Sequence, residues 1–97
     1  MNTVIEQLSP LLTMLVDMLN GDGHAEAALF FADIRNDLDA TTDEMDLLAL
    51  FTFRLANSDE IVATYGLRGA AVELLDLILQ RAIEISAAYS ADDAQPH

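Results

Sequence analysis

Six carboxylates crowd one stretch of this chain. Asp33, Asp37, Asp39, Asp43, Glu44 and Asp46 fall within fourteen residues, and Arg35 is the only cation among them. Carboxylates packed this closely can grip a hard cation, work in pairs as acid and base, or present a negative surface to a basic partner. Spacing separates these uses. Asp37-x-Asp39-x-Thr41-x-Asp43 opens like the calcium loop of an EF-hand. The sixth position is then Thr42, where the sharp turn needs Gly, and the twelfth is Leu48, where a bidentate Glu is needed. No metal and no cofactor is expected here. Docking of a basic surface remains, beside the plainer use of such acids to keep a helical hairpin tip solvated.

Catalytic readings lack parts. Asp43, Glu44 and Asp46, followed by Glu73-x-x-Asp76, resemble in part the carboxylates with which all-α nucleotide pyrophosphohydrolases hold magnesium from two helices. That resemblance covers five residues. The first cluster departs from the spacing, and the chain has no Lys to meet a triphosphate. His24 and His97 are the only histidines, and His24 sits beside Gly23 where a helix starts, a place for capping or solvation. There is no Cys, which excludes thiolate metal sites, disulfides and cysteine nucleophiles. There is no Glu-x-x-His for a di-iron bundle. Gly66-Leu67-Arg68-Gly69 reads as a turn rather than a phosphate cradle. The expectation is a protein that is not an enzyme.

Composition points the same way. Seventeen acids stand against four Arg and no Lys, a formal net charge of −13, yet 53% of the 97 residues are hydrophobic. A chain this acidic with few apolar residues would stay unfolded; this one has material for a core. The charge repels nucleic acid and anionic lipid. No apolar run approaches the roughly 18 residues that span a bilayer, since Asp17 and Arg54 interrupt the longest ones. The N-terminus has no basic leader, so the expected location is the cytoplasm.

Helical periodicity recurs throughout, and no strand pattern does. Thr3-Val4-Ile5-Glu6 fits a capping box opening a helix from about 3 to 20, bent near Pro10 and ended by Asn20-Gly21-Asp22-Gly23. Its polar stripe (Glu6, Pro10, Thr13, Asp17, Asn20) is narrow, which calls for a central position or a second copy of the chain. A second helix, His24 to Asp39, turns Ala27, Phe31, Ile34 and Leu38 inward, with Leu29 and Phe30 widening the face. Thr41-Thr42-Asp43-Glu44 reads as another capping box, opening a helix that buries Met45, Leu48, Phe51 and Leu55 and stops near Asn57. A short helix from Ser58 to Tyr65 ends on Gly66 as a left-handed cap. A last helix, Arg68 to Ala88, buries Ala71, Leu75, Ile78, Ala82, Ile85 and Tyr89 and wets Glu73, Asp76, Gln80 and Glu84. The expected fold is all-α: a four-helix bundle-like single domain over residues 1–89 with an extra short helix, then a frayed acidic tail over 90–97.

Arg35 is expected to pair with Asp39, and Arg81 with Glu84, on their own helices. Arg54 and Arg68 have no acid three or four residues away, so each is expected to find a tertiary partner or to anchor an interface. The function expected is a small acidic interaction protein that binds a basic protein and blocks it, as immunity proteins, antitoxins and phage-encoded inhibitors do. Asp33, Asp37, Asp39, Asp43, Glu44 and Asp46 form its contact surface. The alternative is a homo-oligomeric structural or adaptor module, dimeric through helix 1, whose acidity serves solubility.

Overall fold

The computed structural model describes residues 2–94, and over them the chain is all-α and bundle-like, with no strand. The helices are α1 (Asn2–Gly21), α2 (Ala25–Asp39), α3 (Glu44–Phe53), α4 (Ser58–Tyr65) and α5 (Ala70–Ala94), with a 3-10 turn Leu55–Asn57 between α3 and α4. None is long and apolar enough to cross a membrane. The molecule is elongated, 51 × 22 × 18 Å.

α1 lies between α2 and α5. This explains its apolar circumference: Leu8, Leu12, Leu15 and Leu19 are buried, Val4, Ile5 and Leu11 are half-buried, and Met14 alone of its large apolar side chains is well exposed. Of the two arrangements that the narrow polar stripe allows, a central position is the one that this packing uses. The helix runs through Pro10 as one element. Pro10 and Glu6 both face solvent, so the Glu6 carbonyl that loses its helical donor is open to water. The helix also already contains Thr3, so Thr3 is not its N-cap.

α2 buries Ala27, Phe31, Ile34 and Leu38, the face its periodicity predicts. Leu29, expected to widen that face, is exposed. α3 departs further. Its N-cap is Asp43, whose side chain accepts the Asp46 N–H at 2.8 Å, while the Thr41 hydroxyl donates back to the Asp37 carbonyl at 2.8 Å. Leu47, Leu50 and Phe51 are buried, and Met45 is 81% exposed. The buried face is therefore rotated from the expected one, and the helix stops at Phe53.

α4 ends as expected, with Gly66 left-handed at φ 62° and the Leu67 N–H bonded to the Val62 carbonyl at 3.0 Å. α1 closes in the same way through Gly23 (φ 84°), with the His24 N–H on the Leu19 carbonyl at 2.8 Å. α5 buries Ala71, Leu75, Ile78 and Ala82, half-buries Ile85 and keeps Glu73, Asp76, Gln80 and Glu84 wet. The Tyr89 side chain lies outside the described residues. α5 begins at Ala70 rather than Arg68 and continues to Ala94 rather than stopping near Ala88, taking in residues 90–94 of the segment expected to fray. The rest of that segment, 95–97, lies outside the described residues.

Two polar links run from α2 to the segment after α3. Arg54 pairs with Asp37 in the last turns of α2, and the Tyr65 hydroxyl donates to Glu26 in its first turn at 3.0 Å. The 3-10 turn and α4 therefore run back along α2.

Candidate interaction surface

The two helix ends around the α2–α3 loop bring the acidic stretch together. Asp33, Asp37 and Asp39 stand on the outer side and end of α2; Asp43 caps α3; Glu44 and Asp46 occupy its first turn. All six are exposed. Local physics accounts for part of the cluster. Asp43 satisfies a free backbone N–H, and Glu44 and Asp46 sit where the α3 dipole favours negative charge. Asp37 holds Arg54. Asp33 and Asp39 have no hydrogen bond or ion pair among the described residues.

The acids are spread over this tip rather than converging. Among the described residues no three of His, Asp and Glu lie close enough to hold a metal ion.

Beside them lies a shallow depression of about 350 Å³, lined by Asp37, Thr41, Asp46, Leu50, Phe53 and Arg54. Phe53 is 71% exposed at its edge. Met45 stands eight residues earlier on the same helix, about 80° away around it, so the two share a side. Helical spacing put Met45 in the core and left Phe53 unmarked. Apolar residues surround α3 completely, so periodicity alone could not choose its buried side; the capping position of Asp43 is the signal that fixes where the helix starts.

The arginines divide. Arg54 has its tertiary partner in Asp37, and Arg81 reaches Glu84 at 3.8 Å on its own helix. Arg35 does not pair with Asp39. It leans across to α1, where a guanidinium N–H donates to the Thr13 hydroxyl at 3.4 Å. Arg68 is exposed and makes no ion pair among the described residues. His24 precedes α2 at the N-cap position without a side-chain capping bond. Comparison with protein-family models, with curated proteins and with solved structures found no match.

Proposed function

We propose that this chain is a small acidic helical protein that binds a basic protein and blocks it, with the build of immunity proteins, antitoxins and phage-encoded inhibitors. The observation that carries the reading is the α2–α3 tip: six exposed carboxylates, two of which (Asp37 and Asp46) line a depression, with Phe53 and Met45 exposed beside it. Charges of one sign steer a basic partner and speed its approach, while exposed apolar side chains supply the area that slows its release. Met45 is unbranched and adaptable, a side chain suited to a binding surface. A homodimer through α1 draws little support from exposed surface, since Met14 is the large apolar side chain left open there.

The test uses the two acids without an internal partner. Immobilised wild type and an Asp33→Lys/Asp39→Lys variant are incubated with host lysate at low and high salt. A basic protein held in stoichiometric amount by wild type, released by salt and lost from the variant is the expected result. Equal capture by both would remove the tip from the interface. Asp37 and Asp43 are unsuitable targets, because their loss would disturb an ion pair and a helix cap.

A further inference from the structure

A second concave surface lies across the last turn of α3 from the tip's depression. It is a trough of about 530 Å³ between the α3 end, 3-10 turn and α4 start on one side and the second half of α5 on the other. Phe51, Leu55 and Leu79 form its walls, Ile83 stands at its edge 69% exposed, and Ala87 lies at one end. None of the six tip carboxylates lines it. Asp59 is the one charged residue in the lining, and Glu60 follows it on α4.

We infer that this trough docks an amphipathic helix of a partner, apolar on the face that enters and basic at its edges. Shape supports a helix. Both walls are helical, and α5 packs mainly on α1 and only narrowly on α3, with Ile83 and Ala87 exposed along the trough. A helix laid between two others, side chains interdigitating, is the element that fills such a gap. Charge supports a basic one. The lining offers a carboxylate and no cation, on a chain whose formal net charge is −13. A second copy of the chain would bring its own Asp59 and its own acidity to the same place. The trough's residues are separate from the tip's, so docking here stands or falls without it.

The probe is a fluorescein-labelled peptide of about 14 residues, four turns of Leu and Lys with Leu at helical spacing. Its binding to the full chain is read by fluorescence anisotropy at about 0.15 M salt. Saturable one-to-one binding is expected, at least about tenfold tighter than for a scrambled peptide of the same composition, since only the helical order presents one apolar face. Ile83→Asn and Ala87→Trp, both at exposed positions, should each weaken it by about tenfold or more, one by removing apolar area and the other by filling the trough. The Asp33→Lys/Asp39→Lys variant should still bind. Equal binding of the scrambled peptide, or indifference to both trough variants, would overturn the inference. So would a homodimer in sedimentation that Ile83→Asn dissolves, because the occupant would then be a second copy.

Discussion

Ser58 is fully buried, and its hydroxyl has no hydrogen-bond partner among the described residues. An unmade hydrogen bond on a desolvated hydroxyl costs about 1–3 kcal/mol, while a methyl of similar size carries no such penalty. Ser58→Ala should therefore stabilise the fold by about 1 kcal/mol, which for a domain of this size is roughly 4–8 °C in Tm by thermal melting. Tyr65 gives a different test. Its hydroxyl pKa is raised above the ordinary value, first because the phenol proton is held by Glu26, then by burial and by the Glu26 charge. A raised folded-state pKa contributes stability that is fully present below pH ~10 and is lost as pH rises through the folded value. Urea melts should show wild type more stable than Tyr65→Phe at pH 7, with the gap closing above pH ~10. A gap that persists at high pH would mean that the Glu26 bond is not its source. Neither residue was legible from sequence, because each depends on what packs beside it in three dimensions. The buried face of α5 was legible, because Ala71, Leu75, Ile78 and Ala82 repeat against an opposite face of acids and Gln80.

Helix ends carry the next set of consequences. Gly66 sits at φ 62° with nothing within 4 Å of the place a Cβ would take, so a side chain there meets backbone strain and no clash. Gly66→Ala should cost about 1–2 kcal/mol in chemical denaturation, and Gly66→Asn less, because Asn visits the left-handed region more readily. An equal cost for both would point to something other than backbone conformation. This cap was readable because Gly after an eight-residue helical stretch has few other uses. The start of α3 was not: Thr41, Thr42 and Asp43 are all good caps, and the Thr41 hydroxyl turned back to Asp37 instead. The tip's apolar part was hidden for another reason: apolar residues lie all round α3, so spacing could not show that Leu47 and Leu50 would go in and that Met45 and Phe53 would stay out. The acids of the tip, by contrast, were plain from their density alone.

At the scale of the molecule, thirteen net negative charges share an elongated body 51 Å long. Their mutual repulsion opposes folding and is screened by salt. The exposed Arg54–Asp37 pair works in the opposite direction, but such pairs contribute only about 0.2–1 kcal/mol. Urea midpoints at neutral pH should therefore rise between low and moderate NaCl. A fall would show that attractive pairs dominate the surface. Leu15, on the helix through which a dimer was the alternative expectation, is fully buried, so Leu15→Glu would unfold the chain and report nothing about self-association.

The two links from α2 have matched lengths. Glu26 to Asp37 and Arg54 to Tyr65 are each eleven positions apart. Adding or deleting one residue within 55–64 would rotate the rest of α4 by about 100° if the segment stayed helical. Arg54 could keep Asp37, but Tyr65 would then swing away from Glu26, and Ile61 and Val62 would leave the core they half-enter. Variation in length should thus be far better tolerated at the Asp22–Gly23 turn or the Ala40–Thr42 loop than in this short segment, exposed as much of it is.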